Sequence, residues 1–221
     1  MEIKLKSKSQ KSKKPSIRYL NNMREVIYDK KWLKDAPNFE VYYMYQGVKI
    51  KKGIRQNVTV FPPLRLGKEF SKTKGHEHKN NYGEVYKVTE GKAIFLLQKR
   101  KPMSKKIEDV YAVKANKNEI VVIPSRYGHL TINPTNKTLE TRDWSYKGCK
   151  SDYSFYEKMG GGCYYYITSG WIKNNNYKKV PRLRFEKPLK KLPSNLNFLK
   201  KAGMAKPRTK ARLGTKQVAQ T

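Results

Sequence analysis

The chain of 221 residues has few cysteines, few acidic residues and no long apolar run. Cys149 and Cys163 are its only cysteines, and they form neither a CxxC pair nor an evenly spaced series, which argues against a disulfide framework or a zinc knuckle. No apolar run approaches the roughly 20 residues that a membrane helix needs. The N-terminal stretch is charged but has no apolar segment typical of a secretory signal. We therefore expect a reduced, cytoplasmic protein without membrane contact.

The scarcity of acidic residues leaves a large positive charge. There are 50 Lys and Arg residues against 17 Asp and Glu residues, which gives a net charge of +33. Such a charge predicts attraction to polyanions such as nucleic acid or ribosomes. AT-rich codons, which favour Lys, Asn and Tyr together, explain the same composition without any partner. The basic ends, "KLKSKSQKSKK" and "KKAGMAKPRTKARLGTKQ", are predicted to be disordered arms that either contact polyanions nonspecifically or keep the protein in solution.

The middle of the chain consists of short β-rich stretches separated by turn residues. The turns include "KNNYG", "TEG", "PSRYG" and "NPTN". This spacing predicts an antiparallel sandwich or barrel, preceded by short helical or strand elements in "SIRYLNNMREVIYDKKWLKDAPN". We divide the chain into a basic flexible leader, a β-barrel domain and a Pro- and Lys-rich, partly disordered extension, with bounds 1–16, 17–180 and 181–221.

Histidine is also scarce, and two of the three histidines stand one residue apart in "KGHEH". On a strand, residues i and i+2 point to the same face, so His76 and His78 present two imidazoles side by side while Glu77 faces away. The sequence "KNNYG" can reverse the chain. The next strand then places Glu84 and Tyr86 on one face, opposite the two histidines.

The third histidine, His129, follows the turn in "IPSRYGHLTIN". Three neutral imidazoles and one carboxylate form a mixed nitrogen and oxygen site that suits Fe, Mn, Ni, Co or Zn and leaves positions open for substrate or water. The pattern contains no thiolate, which argues against a structural zinc site. The alternative is that these residues are a surface coincidence.

The order of HxH, turn, Glu and a distant His resembles the two motifs of the cupin superfamily, whose fold is a small jelly-roll barrel. The blocks "GKEFSKTKGHEHKNNYGEVY" and "VIPSRYGHLTIN" are similar to the archaeal-type, cupin-fold glucose-6-phosphate isomerases over roughly residues 20 to 170. The resemblance implies an all-β cupin barrel and a metal-dependent enzyme of glycolysis and gluconeogenesis. It also implies that two copies pair as a homodimer.

The resemblance also implies roles for individual residues. Glu84 and Tyr153 become candidate catalytic residues. The sugar phosphate would contact Thr59, Thr73, Gly75, Tyr86 and Tyr153. A divalent metal ion, with iron, manganese, nickel and zinc as candidates, would be held by His76, His78, Glu84 and His129.

The chain departs from the family pattern at several positions. Ser151 stands where a histidine near the substrate is common, Phe39 where a tyrosine is usual, and Asn118 where the second motif has a glycine. The gap between His78 and Glu84 differs by one residue from the expected gap, so the hairpin tip must absorb a residue.

The residues around the first motif also invite interpretation. We expect Gly75 to let a ligand approach the backbone closely. Lys72 and Lys74 alternate with Thr73, so we expect them to point away from the pocket and to be solvated.

Two further functions are open on the sequence alone. One is another metal cupin, such as a dioxygenase or a sugar epimerase. The other is a basic cupin shell that binds RNA or the ribosome. For the isomerase itself, the sequence leaves open whether Glu84 acts as a general base or only as a metal ligand, with a hydride shift replacing proton transfer.

Because an imidazole binds a metal ion only in its neutral form, the isomerase activity should fall below about pH 6, near the free imidazole pKa. The measurement is the initial rate between pH 5 and pH 8 with the metal in excess. A flat rate down to pH 5 would argue against histidine ligands.

Overall fold

A computed structural model of the protein describes residues 14–202. The basic stretches 1–13 and 203–221 lie outside the described residues, so the prediction that they are disordered arms stays a prediction. Among the described residues, no helix is both long enough and apolar enough to span a membrane.

Strands dominate the described chain, and the few helices are short. The α-helices are α1, Lys30–Asp35, and α2, Ser154–Lys158; the 3₁₀ helices are Leu20–Val26, Lys79–Asn81 and Asn197–Lys200. The strands β1 to β16 are, in order, Ser16–Tyr19, Glu40–Lys51, Ile54–Phe61, Arg65–Leu66, Glu69–Phe70, Glu77–His78, Glu84–Glu90, Lys92–Arg100, Ile107–Asn116, Ile120–Ile123, Gly128–Ile132, Leu139–Tyr146, Ser151–Asp152, Tyr164–Ile167, Gly170–Lys173 and Arg184–Glu186.

The barrel is formed by two main sheets. The six-stranded sheet has the order β1-β2-β3-β12-β7-β10, and the four-stranded sheet has the order β11-β8-β9-β16. The pairs are antiparallel except for β16 with β9. The non-consecutive neighbours, such as β12 between β3 and β7, are the crossovers of a jelly roll. The predicted all-β jelly-roll barrel is confirmed.

The core lies between these two sheets. Strand β12 shows how the sequence produces it, because its residues alternate between buried and partly exposed along most of its length. The fully buried side chains include large apolar ones from both sheets and from the N-terminal segment: Leu20, Met23, Tyr42, Phe61, Phe95, Leu97 and Ile123.

The N-terminal segment is the mixture of helix and strand that the sequence predicts. The 3₁₀ helix Leu20–Val26 buries Leu20, Met23 and Val26 against the barrel. Helix α1 begins after Asp29, whose carboxylate accepts a hydrogen bond from the backbone N–H of Trp32 at 3.1 Å. The segment therefore covers part of the core and is not a separate unit.

Residues 184–200, in the predicted extension, also contact the barrel. Leu189 and Ile120 exchange backbone hydrogen bonds of 2.8 and 2.9 Å. Leu199 is fully buried in a cluster with Val85 and Ile120. The domain bounds proposed from the sequence stay a prediction, but the described part of the extension packs on both sheets: β16 pairs with β9 of the four-stranded sheet, and Leu189 and Leu199 contact the six-stranded sheet.

The expectation that Lys72 is solvated is wrong. Lys72 and Glu69 are only 2% and 1% exposed. The Lys72 ammonium group donates hydrogen bonds to the Glu69 carboxylate and, at 2.7 Å, to the carbonyl of Val26. The Glu69 carboxylate also accepts from the N–H of Tyr28 at 3.0 Å. This buried ion pair holds the N-terminal segment against the barrel.

Lys74 is likewise not solvated. It is 7% exposed, and its ammonium group lies 2.6 Å from the carboxylate of Glu157 on α2. Neither lysine lines the cavity described below, so the expectation that both point away from it agrees with the structure. Both charges are paired inside the protein: Lys72 pairs with Glu69, three residues earlier in the chain, and Lys74 pairs with Glu157 on α2.

Burial raises the pKa of Glu69 and lowers that of Lys72, and their mutual attraction opposes both shifts. Replacing Lys72 by Met leaves a buried carboxylate without its partner. We expect the free energy of unfolding to fall by about 3–5 kcal/mol. The double variant Lys72→Met/Glu69→Gln should recover most of that loss. The measurement is urea denaturation.

The exposed Lys49 on β2 provides the matched control. Lys49→Met should change the free energy of unfolding by no more than about 0.5 kcal/mol. If Lys72→Met/Glu69→Gln is as unstable as Lys72→Met, the unpaired carboxylate of Glu69 does not cause the loss of stability.

Candidate metal centre

The centre is organised by one backbone contact between the two motifs. His76 and His129 form an antiparallel bridge in which each N–H donates to the other carbonyl, at 3.1 and 2.9 Å. The bridge sets the two imidazole rings edge to face with their centroids 4.5 Å apart. Two stretches that are distant in sequence therefore deliver their histidines to one point.

The alternation of "HEH" places the second imidazole beside the first. The Nε2 atoms of His76 and His78 lie 3.1 Å apart. Glu77 faces the other way, as predicted, and its carboxylate binds Arg100 with two bonds of 2.7 and 2.9 Å. The bidentate pair anchors β6 from outside the site.

The hairpin after His78 brings Glu84 to the histidines. Asn80 and Asn81 have positive φ angles of 64° and 57°, a conformation that asparagine tolerates better than most residues. This tight tip accommodates the spacing between His78 and Glu84, which differs by one residue from the family pattern. Glu84 Oε2 then lies 3.3 Å from Nε2 of His78 and 3.1 Å from Nε2 of His129.

These residues fit a divalent metal ion. The four ligand atoms of His76, His78, Glu84 and His129 all lie within 4.8 Å of one another. Nδ1 of His78 lies 2.9 Å from the carbonyl of Tyr82, which sets Nδ1 as the donor and leaves the lone pair of Nε2 facing the centre. Converging imidazole nitrogens and a carboxylate oxygen are ligands that first-row transition metals accept.

The pKa shifts of these four residues agree with the binding of a metal ion. Burial lowers the pKa of His76 well below its usual value, and the other two imidazoles lower it further. Burial also lowers the pKa of His129. Burial alone would raise the pKa of Glu84, but hydrogen bonds from His129 and His78 hold it well below the usual range. Two neutral imidazoles and an ionised carboxylate are therefore the favoured forms.

His78 behaves differently. Burial lowers its pKa, but hydrogen bonds with Cys149 and Glu84 outweigh this and raise it well above the usual value. Of the three imidazoles, His78 therefore most readily holds a proton in the absence of a cation. A bound cation would displace that proton, because a ligand histidine must be neutral.

One cavity brings together the residues implied by the family resemblance. It opens onto the metal ligands and is also lined by residues of the six-stranded sheet and of the α2 region. Its lining includes Thr59, Thr73, Gly75, His76, His78, Glu84, Tyr86 and Tyr153.

The two tyrosines lie at different distances from the ligands. The hydroxyl of Tyr86 donates to Glu84 Oε2 at 3.1 Å and lies 3.1 Å from Nε2 of His129. The ring of Tyr153 is 5.5 Å from the ring of His76. Tyr86 thus belongs to the hydrogen-bond network of the ligands, while Tyr153 forms part of the cavity wall.

The structure gives a reason for glycine at position 75 that differs from the expected one. Its φ angle is +82°, and a Cβ atom would lie 2.4 Å from the ring of the buried Tyr156. The missing side chain therefore makes room for Tyr156 on that side of the strand, not for a ligand. Any L-residue here would strain the backbone beside His76.

The departures from the family pattern have different consequences. Ser151 lines the cavity, as does Cys149, which hydrogen-bonds with His78. Phe39 lies elsewhere and packs on Trp32, with ring centroids 6.3 Å apart. Asn118 adopts a φ angle of 72°, the left-handed conformation in which a glycine is common.

Asp143 is a functional candidate that the sequence reasoning missed. It lines the cavity, is 4% exposed and accepts a hydrogen bond of 2.5 Å from the amide of Asn57. Burial raises its pKa well above the usual value, and the neighbouring charge of Glu84 raises it further. A protonated Asp143 beside an ionised Glu84 is therefore the favoured arrangement. The only signal in the sequence was the polar alternation Thr141, Asp143 and Ser145 along β12.

A jelly-roll barrel that gathers an HxH pair, a glutamate and a distant histidine at one cavity defines a protein of the cupin class. Within that class, the family model for glucose-6-phosphate isomerase matches residues 19–182. The chain belongs to this family.

Curated relatives show the same similarity over part of their length. The glucose-6-phosphate isomerase of Thermococcus litoralis is 34% identical over 131 residues, which are 56% of this chain and 65% of that protein. The enzyme of the same name from Pyrococcus furiosus is 32% identical over 127 residues, 54% of this chain and 64% of that protein. The chain spans just under two thirds of the length of these relatives.

If these four residues bind a cation, the metal-free full-length protein should bind about one Mn²⁺ per chain. His76→Ala and Glu84→Gln should each weaken that binding at least about tenfold, since each removes a ligand and even outer-shell changes cost that much. Isothermal titration calorimetry measures the affinity. Tyr153→Phe is the control, because its ring faces the site without offering a ligand; unchanged affinity in His76→Ala would contradict the assignment.

Proposed function

We propose that this chain is a metal-dependent aldose–ketose isomerase that interconverts glucose 6-phosphate and fructose 6-phosphate, a reaction of glycolysis and gluconeogenesis. The observation that carries the proposal is the convergence of ligand atoms of His76, His78, Glu84 and His129 within 4.8 Å of one another, with the first three residues lining the cavity. The family model and the curated relatives named glucose-6-phosphate isomerase support the substrate.

The metal ion would be divalent, with iron, manganese, nickel and zinc compatible with the ligand set. When bound, it supplies Lewis-acid stabilisation of the oxygen that gains negative charge during isomerisation. The protein's part is to hold the ion with the three imidazoles and Glu84, and to exclude most water from a largely buried site. His78 and His129 are 8% and 1% exposed.

The reaction also moves hydrogen between C1 and C2, and the site holds a proton where this is needed. Glu84 is the candidate base, and its carboxylate accepts a hydrogen bond from the hydroxyl of Tyr86. Asp143 lies beside it and is favoured in its protonated form. The Glu84–Asp143 pair can therefore hold or release one proton while Glu84 Oε2 stays directed at the metal ligands.

The cavity wall supplies the contacts to the sugar phosphate. Thr73 is a candidate because its Oγ1 accepts a hydrogen bond of 3.0 Å from the N–H of Thr131 and retains its own O–H for a ligand. Thr59 lies on the same face of β3 as Asn57 and lines the same cavity. Tyr153 would lie against the sugar ring.

Other statements about the protein stay predictions from the sequence. These are the homodimer, the cytoplasmic location and nonspecific contact with polyanions through the basic arms. A different metal cupin, such as a dioxygenase or an epimerase, has no specific observation in its favour.

Purified full-length protein supplied with Mn²⁺ should convert fructose 6-phosphate to glucose 6-phosphate in an assay coupled to glucose-6-phosphate dehydrogenase. A chelator should abolish the activity, and Mn²⁺ or Fe²⁺ should restore it. Glu84→Gln should lower kcat by about 10²–10⁴, because it removes both a ligand and the proposed base.

Glu90→Gln is the matched control, since Glu90 is exposed at the far end of the same strand. Its activity should equal that of the unchanged protein. Robust isomerase activity in a His76→Ala/His129→Ala double variant would overturn the proposal. Metal-dependent oxygen uptake without isomerisation would indicate a dioxygenase instead.

A further inference from the structure

A phosphorylated ligand in a partly closed cavity needs a cation, and most cations near this cavity are already paired. Lys72 is held by Glu69 inside the barrel, and Lys74 is held by Glu157. Both lysines belong to the block "KTKGH" that precedes the metal ligands. Neither is available to a ligand, although their sequence position suggests it.

Arg55 lies at the end of the cavity that holds the carboxyl groups. On β3 it is directly opposite Ser145, which in turn is opposite Glu84 on β7. Its positive charge acts on Asp143 and partly offsets the rise of that carboxyl's pKa. The Nε atom of Arg55, like that of Arg18, is buried without a hydrogen-bond partner within residues 14–202, but the charge of Arg55 acts on Asp143, which distinguishes it from Arg18.

Arg18 is not among the residues that line the cavity, but its guanidinium lies against two tyrosines that do. On β1 it is directly opposite Tyr42, so both side chains point to the same face of the six-stranded sheet. Its guanidinium carbon lies 5.9 Å from the centre of the Tyr42 ring and 5.4 Å from that of Tyr153. Both tyrosines line the cavity.

The guanidinium of Arg18 has unused hydrogen-bonding capacity. Its Nε atom is buried, and no hydrogen-bond partner for it is found within residues 14–202. In that same part of the chain, no carboxylate pairs with it at salt-bridge distance. Its hydrogen bond to the Tyr42 hydroxyl and its position over two rings hold the group in place without neutralising it.

The surroundings of Arg18 match the segment proposed to contact phosphate. The Tyr42 hydroxyl accepts a hydrogen bond of 3.4 Å from the N–H of Lys74, which lies between Thr73 and Gly75. Arg18 therefore lies beside the 73–75 backbone, whereas the carboxyl pair Glu84 and Asp143 lies on strands β7 and β12. A cation that has no carboxylate partner in the described part of the chain thus lies beside one part of the cavity wall, and the carboxyl pair of Glu84 and Asp143 lies at another.

We propose that Arg18 binds the phosphate group of the substrate and sets the preference for phosphorylated sugars. The inference rests on the proposed isomerase function and deepens it. A planar guanidinium suits phosphate because it can donate two parallel hydrogen bonds, whereas lysine offers only a point charge. Arg18 lies just outside residues 19–182, the range matched by the family model, so the family match itself does not assign it.

The test compares ligands that differ only in their phosphate group. Full-length, metal-loaded Arg18→Gln should bind 6-phosphogluconate at least about tenfold more weakly in calorimetry, because it loses a charge-assisted contact. Its affinity for gluconate should stay within about twofold. In the coupled assay, KM for fructose 6-phosphate should rise by the same factor with little change in kcat, as for a contact made equally in ground and transition states.

Two further variants and two control measurements sharpen the comparison. Arg18→Lys should recover only part of the affinity, because it restores charge without the planar donor pair. The exposed Arg126→Gln should have no effect on either ligand. Metal content and melting temperature of Arg18→Gln should match the unchanged protein, which separates phosphate binding from folding.

Several outcomes would overturn the inference. In the first, Arg18→Gln weakens the binding of gluconate and 6-phosphogluconate equally. In the second, Arg18→Gln weakens the binding of neither ligand. In the third, Arg55→Gln causes a larger selective loss of 6-phosphogluconate affinity than Arg18→Gln does. If the unchanged protein does not isomerise fructose 6-phosphate but binds 6-phosphogluconate through Arg18, the proposed function fails and the phosphate site stands. If it isomerises the sugar while Arg18→Gln leaves KM unchanged, only the Arg18 assignment fails.

Discussion

The backbone bridge between His76 and His129 is the contact on which the centre depends. Its two hydrogen bonds, at 3.1 and 2.9 Å, join the segment before β6 to strand β11 of the four-stranded sheet. Because the bridge pairs the histidines themselves, their imidazoles must lie on the same side of the ladder. His78 follows from the two-residue period of the strand, and Glu84 follows from the hairpin, so the whole ligand set is assembled around this bridge.

Charge inside the protein is arranged in small, matched groups despite the large net positive charge. Glu69 with Lys72 and Glu157 with Lys74 satisfy lysines that would otherwise be buried without a partner. At the cavity, Asp143 favours its protonated form beside the ionised Glu84, and the charge of Arg55 partly opposes the rise of the Asp143 pKa. A chain with 50 basic and 17 acidic residues thus places several of its few carboxylates where they hold elements together or line the cavity.

Much of the site could be predicted because its geometry is local. The i, i+2 spacing of His76 and His78, the turn "KNNYG" and the position of Glu84 are all short-range relations that strand and hairpin geometry translate into space. The solvation of Lys72 and Lys74 was predicted wrongly, because distant segments bury them: Lys72 also donates to the carbonyl of Val26, and Lys74 pairs with Glu157 on α2. Asp143 was missed for the same reason, since only the pairing of β12 with β7 brings it beside Glu84.

The amino-acid sequence by itself determined the all-β class, the pairing of two imidazoles on one strand face and the family to which the chain belongs. Only the tertiary structure decided which polar groups are buried together: the carboxyl groups of Glu84 and Asp143, the two lysine pairs, and the guanidinium of Arg18 beside Tyr42 and Tyr153. The physical reason is that side-chain periodicity is set by neighbouring residues. Burial, pKa values and charge pairing depend instead on which distant strands become neighbours in the barrel.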